Sequence, residues 1–145
     1  MPDLALQRVV FSVDADNQLK MVKARTGLTP NILARLGFCL SLDEPGMPRL
    51  LKDEDKSSRE INRYTLFGEY DAAFVALLVT RLKQDGITTE QLDEYCVAHM
   101  NRGVQLLAGR LKSISDLRLL AAPVTATNAP EATVKITVSA TPSSR

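Results

Sequence analysis

Apolar and polar residues alternate near the start of the chain and predict a short strand. Residues 7–13 read QRVVFSV, and their β-branched and aromatic residues favour extended backbone. Successive side chains of a strand point to opposite faces. The alternation therefore predicts an inward face of Val9, Phe11 and Val13 and an outward face of Arg8, Val10 and Ser12.

Two helices are predicted directly after this strand. Asp14 can cap the first helix, which runs to about residue 25 and ends near Gly27, because glycine tolerates the left-handed conformation of a helix end. Thr29 and Pro30 begin the second helix, since proline needs no amide partner at the first helical position. That helix runs to about residue 42 and is apolar around most of its circumference, so we expect it to be buried on more than one side.

Polar connectors and further helices are predicted for the rest of the chain. Residues 43–59 are charged and broken by proline, so we expect a solvated connector, and residues 60–67 are predicted to be extended, with Ile61, Tyr64 and Leu66 able to pack. A strongly apolar helix is predicted from Glu69 to about Lys83. The longest helix follows Thr88 and has an apolar stripe at close to helical spacing, formed by Leu92, Tyr95, Cys96, Met100, Gly103, Leu106, Leu107, Leu111 and Ile114.

This pattern predicts one domain with a mainly α fold. A lone strand exposes unpaired backbone groups on both edges, and pairing with the same strand of a second subunit is one solution. We therefore expect a ribbon-helix-helix-like strand-helix-helix over the first 42 residues, followed by a helical segment, in an oligomer. The domain covers residues 7–118, and residues 119–145, rich in Ala, Thr, Pro and Ser, are predicted to be a disordered tail. The alternative is a plain helical domain that packs its strand and binds no DNA.

Charge restricts the kind of partner. The 145 residues carry 18 basic and 17 acidic side chains, a net charge of +1, which excludes a polycation that coats nucleic acid by bulk charge. The charge is sorted along the chain, because residues 1–42 hold five basic and three acidic side chains, whereas residues 43–100 hold seven and twelve. Any affinity for nucleic acid must therefore come from a local face.

The residue inventory argues against most catalytic chemistry. His99 is the single histidine and lies one residue off the apolar stripe, which favours a structural role. Cys39 and Cys96 lie inside apolar stretches, so we predict buried thiols and neither a disulfide framework nor a metal site. We expect no catalytic residue, cofactor or metal. The first residues lack a secretory pattern and the longest apolar run, residues 72–79, is far short of the ~20 residues of a membrane span, so we expect a cytoplasmic protein without a membrane partner.

The predicted nucleic-acid-binding residues lie in the first 35 positions. In a ribbon-helix-helix arrangement the outward face of the strand and the start of the second helix meet DNA, and the amides that follow Thr29 can bind a phosphate oxygen. The candidate residues are Arg8, Lys20, Lys23, Arg25, Thr29, Asn31 and Arg35.

The same region resembles a known family. The stretch VVFSVDADNQLKMVKARTGLTPNILARLGFCLSL is similar to the DndE family of bacterial DNA sulfur modification, or phosphorothioation, systems. The string T-G-L-T-P-N-I-L-A-R-L is the specific part of the likeness, which covers roughly residues 8–117. This chain departs from the family in its modest basic cluster on the first helix and in its longer tail.

The resemblance carries expectations of its own. It implies a compact, mostly helical protein that self-associates as a tetramer and binds duplex DNA, nicked duplex preferentially, through surface lysines at the positions of Lys20 and Lys23. It implies further partners, namely the cysteine desulfurase, the iron–sulfur protein and the ATPase of the same system, which replace a non-bridging phosphate oxygen with sulfur. Arg25 and Arg35 are added to the site on charge alone.

Three hypotheses of function follow. The preferred one is a non-catalytic DNA-binding subunit of a phosphorothioation system. The second is a DNA nickase of the same pathway, which needs a nucleophile or a metal-activated water that one chain does not reveal. The third is a ribbon-helix-helix transcriptional regulator, although Arg8, Val10 and Ser12 offer few groups that read bases.

Overall fold

Helices dominate the computed structural model, which describes residues 2–120. The elements are β1 (Arg8–Ser12), α1 (Val13–Thr26), α2 (Pro30–Asp43), β2 (Lys56–Asn62), α3 (Arg63–Phe67), α4 (Asp71–Gln84) and α5 (Leu92–Arg110), with 3-10 turns at Asp53–Asp55, Gly68–Tyr70, Thr89–Gln91 and Ile114–Asp116. The chain divides into two units, Met1–Lys112 and Ser113–Arg145. All seven helices and strands named here lie in the first unit. The predicted tail falls almost entirely outside the described residues.

The two strands form a small antiparallel sheet within the one chain. Val9 lies opposite Ile61 and Val10 opposite Glu60, and the register then shifts between Val10 and Ser12. Residues 57–59 of β2 bulge at this shift, which bends the strand. The prediction of a solvated connector over residues 43–59 is therefore wrong from Lys56 onwards, where the chain forms β2. The extended stretch predicted for residues 60–67 ends at Asn62, because Asn62 Oδ1 accepts from the Tyr64 amide (2.8 Å) and starts α3.

The other edge of β1 is bonded by a side chain of α5. Asn101 Oδ1 accepts from the Ser12 amide at 2.8 Å, and Asn101 Nδ2 donates to the Val10 carbonyl at 3.1 Å. With β2 on one edge and this carboxamide on the other, β1 has no need of a second subunit. The strand-helix-helix order is as expected, but the partner of the strand lies in the same chain.

The start of α1 differs from the expectation in one detail. Its N-cap is Ser12 rather than Asp14, and Ser12 Oγ accepts from the Ala15 amide at 3.0 Å. Ser12 is consequently buried and does not belong to an outward face, while Val13 leaves the strand and is half exposed. The end of α1 is as predicted, since Gly27 has a left-handed φ of 79°.

The core forms where α2 crosses α5. A β-carbon at Gly103 would lie 2.0 Å from the carbonyl oxygen of Gly37, so the two backbones approach closely because neither residue has a side chain. Next to this crossing Phe38, Phe67 and Phe74 pack as an aromatic cluster, with ring centroids 4.9–5.9 Å apart. The helical stripe predicted for α5 is largely buried, and Ile114 lies beyond the end of α5 in the second unit.

Two side chains, those of Tyr64 and Cys39, are more exposed than the sequence predicted. Tyr64, expected to pack, is 77% exposed. Cys39, expected to be buried, is exposed on α2, while Cys96 is buried and burial raises the pKa of its thiol to about 12.

Within residues 2–120, the helices are too short or too polar to cross a membrane.

Candidate nucleic-acid interface

Two lysines share one exposed face of α1. Lys20 and Lys23 are three residues apart, a spacing that places side chains side by side on a helix. Arg25 lies two residues after Lys23, so it projects about 200° around the helix axis from Lys23. Its guanidinium contacts the Met21 sulfur at 3.2 Å. The structure therefore groups Lys20 with Lys23 and separates Arg25 from them.

Asp16 joins this face of α1 to β2. Its carboxylate accepts from Arg59 Nε at 2.7 Å and lies 3.3 Å from Lys20 Nζ. Burial opposes the ionisation of Asp16, but the hydrogen bonds from Arg59 and Lys20 outweigh it and keep the pKa of Asp16 below its usual value. One mostly buried anion thus holds two cations beside each other.

The cations around this contact form what we name the α1–β2 surface. It comprises Arg8, Lys20, Lys23, Lys56 and Arg59, together with the carboxylates Asp16, Asp53 and Glu60. A shallow depression of about 340 Å³ at its centre is lined by Asp16, Lys20, Ser58, Arg59 and Glu60. Five cations against three anions leave the surface positive.

Its outer ion pairs can exchange their partners. Arg8 lies 3.4 Å from Glu60, and Lys56 lies 2.8 Å from Asp53, with the four side chains between 43% and 95% exposed. Exposed pairs of this kind contribute little stability, so a phosphate oxygen can compete for the cation. Within the described part of the chain Lys23 forms no ion pair, and its charge is fully available.

The candidate residues at the start of α2 serve another contact. The Thr29 hydroxyl bonds to Asn31 Oδ1 and caps no backbone amide. Asn31 Nδ2 donates to the Thr65 carbonyl at 3.4 Å, and Arg35 donates to the carbonyls of Thr65 and Leu66 at the end of α3. Asn31 and Arg35 thus hold α3 against α2. The donor groups used in these bonds are ones that the sequence analysis had assigned to a DNA phosphate.

Sequence reasoning missed Lys56 and Arg59, which it assigned to a solvated connector. The segment KSSREIN has a single apolar residue, Ile61, so its alternation gives no hydrophobic signal for a strand. The position of Arg59 beside Asp16 depends on pairing between residues 43 positions apart. No local pattern contains that information.

The single histidine lies in the core at the end of α2. His99 Nδ1 is 2.8 Å from Ser41 Oγ, and both residues are fully buried. Burial, with the positive charge of Arg102 and Arg81 nearby, lowers the pKa of His99 to about 4. The Ser–His contact is a core contact out of reach of a substrate. Among residues 2–120 no three His, Cys, Asp or Glu side chains are placed to hold a metal ion together.

Comparison with known proteins gives the family. The family model of the DNA sulphur modification protein DndE matches residues 8–115. The crystal structure of DndE from Escherichia coli B7A, involved in DNA phosphorothioation modification, is similar with a TM-score of 0.58 and 27% identity, over 72% of this chain and 98% of that one. A crystal structure of a glycine-to-lysine double mutant of DndE gives 0.55 and 26% with the same coverage. A search of curated proteins found no match. The family model covers about three-quarters of the sequence, and crystal structures of DndE are similar to the fold. The chain therefore belongs to the DndE family of DNA sulphur modification proteins.

Proposed function

We propose that this chain is a non-catalytic DNA-binding subunit of a bacterial DNA phosphorothioation system and that it prefers nicked duplex. The observation that carries the proposal is the α1–β2 surface, where Lys20, Lys23 and Arg59 gather on a protein whose net charge is only +1. Phosphate contacts from such a cluster supply affinity without reading bases. The other proteins of the modification complex are proposed as further partners.

A preference for nicks follows from DNA mechanics. A nicked duplex bends more easily than an intact one, so a protein that bends DNA over several cationic patches spends less deformation energy there. No base-edge hydrogen bond is required. The preference therefore needs an assembly that presents more than one α1–β2 surface.

Self-association is the second part of the proposal, with a tetramer as the expected size. The outward side of α2 is apolar at Ile32, Leu36, Cys39 and Leu40, whose spacing of four and three residues matches a helix-packing seam. Leu36→Glu places a charge in the middle of this seam. We expect light scattering to give a smaller particle for the variant, with its circular dichroism unchanged. A wild-type particle size for a folded Leu36→Glu would place the interface elsewhere.

The DNA site is tested by removing its two lysines. We expect Lys20→Ala with Lys23→Ala to bind nicked duplex more weakly in a gel shift and to reduce the salt dependence by about two phosphate contacts per chain. Lys52→Ala with Lys83→Ala removes the same charge from exposed positions outside α1 and β2 and is the matched control. Equal affinity of the two double variants would overturn the assignment of the site.

Two alternatives have their own tests. Relaxation of supercoiled plasmid by the pure protein with Mg²⁺ would favour the nickase. Tighter binding to a promoter duplex than to a random duplex would favour the regulator, although Asn101 occupies the edge of β1 that a ribbon would use.

We propose that residues 7–118 form the functional domain and that the tail is dispensable for DNA binding. A chain that stops after Leu120 is expected to bind nicked duplex as the full chain does. A loss of affinity in that shortened chain would give the tail a role in binding.

A further inference from the structure

A groove on the first unit shares no lining residue with the α1–β2 surface. Its volume is about 650 Å³, and it is lined by the first turn of α1, the loop after α2 and residues 98–105 of α5. Three large apolar side chains in its lining are exposed to solvent: Val13 at 50%, Met47 at 55% and Leu50 at 38%. Exposed apolar residues that gather in one concave site mark a place where another molecule packs.

One end of the groove is acidic. Asp55 directly precedes Lys56, which pairs with Ser12, and Asp14 follows Ser12 by two residues, so the two carboxylates lie near each other. Glu54 lines the groove beside them. All three carboxylates are exposed, and within residues 2–120 none of them forms an ion pair. An incoming cation meets unpaired negative charge there.

The groove also contains two guanidinium groups, which differ in availability. Arg102 donates to Ser41 Oγ and to the carbonyls of Ser41, Glu44 and Gly46, so its donors are used at the end of α2. Arg49 is exposed and forms no ion pair with the described residues. Three carboxylates against the guanidinium groups of Arg49 and Arg102 leave the groove with a net charge of −1, and Arg102 has no donor left for a ligand.

The groove and the lysine face can be used at the same time. On α1, Asp14 lies about 120° around the axis from Lys20 and about 180° from Lys23. A molecule in the groove therefore leaves the lysines uncovered. Its carboxylates repel the phosphates of DNA, so the occupant belongs to another class of molecule.

We infer that this groove docks a basic, apolar segment of a partner protein. An apolar side chain of the segment packs on Val13, Met47 and Leu50, and a neighbouring Lys or Arg pairs with Asp14, Glu54 or Asp55. Burial of the apolar contact supplies affinity, while the opposite charges steer the encounter and select the partner. The site stands on its own residues and does not depend on the proposed DNA binding.

Three short fluorescein-labelled peptides test this chemistry on the full chain. One repeats Lys-Leu, one repeats Glu-Leu and one repeats Lys-Ser, and their binding is followed by fluorescence anisotropy. We expect the Lys-Leu peptide to bind roughly tenfold more tightly than either of the others. It alone has both apolar side chains to pack on Val13, Met47 and Leu50 and positive charges to pair with the carboxylates of the groove. Equal binding of Lys-Ser would show that surface charge alone is at work and would overturn the proposal.

Variants locate the binding. We expect the triple variant Asp14→Asn, Glu54→Gln and Asp55→Asn to lose the Lys-Leu peptide, and Met47→Ser to weaken it. The matched control removes three exposed carboxylates elsewhere, Glu69→Gln, Glu90→Gln and Glu94→Gln, and is expected to bind as wild type does. Wild-type binding by the groove variant, or loss in the control, would overturn the assignment.

Two further readouts separate this site from the proposed function. The groove triple variant is expected to bind nicked duplex at least as tightly as wild type, because it loses three negative charges, and to keep its particle size in light scattering. A smaller particle would instead make the groove an interface between copies of the chain and would refute the partner segment. The peptide assay contains no DNA. Its result therefore remains interpretable even if the Lys20→Ala and Lys23→Ala variant binds DNA as wild type does.

Discussion

The carboxamide of Asn101 bonds to two backbone groups on the edge of β1 that does not pair with β2. The Ser12 amide and the Val10 carbonyl both bond to it, and Nδ2 also donates to the Val97 carbonyl at 2.9 Å. Each buried polar group left without a partner costs stability. Asn101 is itself only 7% exposed, so water cannot easily replace it.

We predict that Asn101→Ala lowers the free energy of unfolding by about 2–3 kcal/mol, because it leaves the Ser12 amide and the Val10 carbonyl unpaired. Urea denaturation measures the change. Gln105→Ala, at an exposed position on the same helix, is expected to change it by less than about 0.5 kcal/mol. Equal effects of the two substitutions would contradict the role assigned to Asn101.

His99 makes the stability depend on pH. Its pKa is about 4 in the folded chain against 6.5 for the free side chain, so the unfolded chain binds a proton in this interval while the folded chain does not. The contribution of the neutral imidazole is complete above pH 6.5 and is lost as the pH falls towards 4. We expect a loss of about 3 kcal/mol across this interval.

The measurement is a series of urea denaturation midpoints between these pH values for wild type and for His99→Gln. Glutamine does not titrate, so the variant keeps only the pH dependence of the acidic groups. Parallel curves for the two proteins would show that His99 contributes nothing to the acid sensitivity.

At the scale of elements, the crossing of α2 and α5 sets the tightest packing requirement. Gly37 and Gly103 bring the two backbones together, and a β-carbon at Gly37 would lie 2.6 Å from the carbonyl carbon of Gly103. Backbone atoms cannot move aside as a flexible side chain can. The helices must therefore separate if either glycine gains a side chain.

We predict that Gly103→Ala destabilises the fold by about 3 kcal/mol or more, as expected for overpacking against backbone. Gly109→Ala is the matched control on the same helix, because a β-carbon there meets no atom within 4 Å. That control is expected to be neutral or to stabilise by up to about 1 kcal/mol through helix propensity. Thermal denaturation of both variants compares them directly, and a mild effect of Gly103→Ala would refute the close crossing.

The elements differ in how far the sequence predicted them. The helices α1, α2, α4 and α5 follow from apolar positions at helical spacing and from Gly27, since both signals are local. Strand β2 was predicted as extended only at residues 60–62, because KSSREIN has almost no apolar alternation, and helix α3 was not predicted, because it is a single turn started by Asn62. Short elements of this kind depend on the partner they pack against.

At the scale of the whole molecule, the small net charge makes the proposed DNA binding depend on the proposed assembly. Each chain offers two or three phosphate contacts, because three carboxylates on the α1–β2 surface offset part of the charge of its five cations. If four chains combine, about ten phosphate contacts give a slope near −9 in a plot of log affinity against log salt. A dissociated chain makes only two or three phosphate contacts.

We therefore predict that Leu36→Glu, if it dissociates the proposed tetramer, reduces the salt slope from about −9 to about −2 or −3. Binding to nicked duplex is measured over a range of salt concentrations, beside light scattering of the same samples. The Lys52→Ala and Lys83→Ala double variant is expected to keep the wild-type slope. An unchanged slope in a dissociated variant would separate DNA binding from assembly.

The sequence by itself determined the main helices, the family string around Thr26 to Leu36, and the shared face of Lys20 and Lys23. These features depend on residues a few positions apart, whose relation the helical repeat specifies. Only the tertiary structure decided the partners of β1, the burial of Ser12 and His99, and the place of Arg59 beside Asp16. Asn101 and Ser12 are 89 positions apart, and Arg59 and Asp16 are 43 apart. A local hydrophobic pattern carries no information about such pairs, because they form only when α5 and β2 pack against the N-terminal strand and helix.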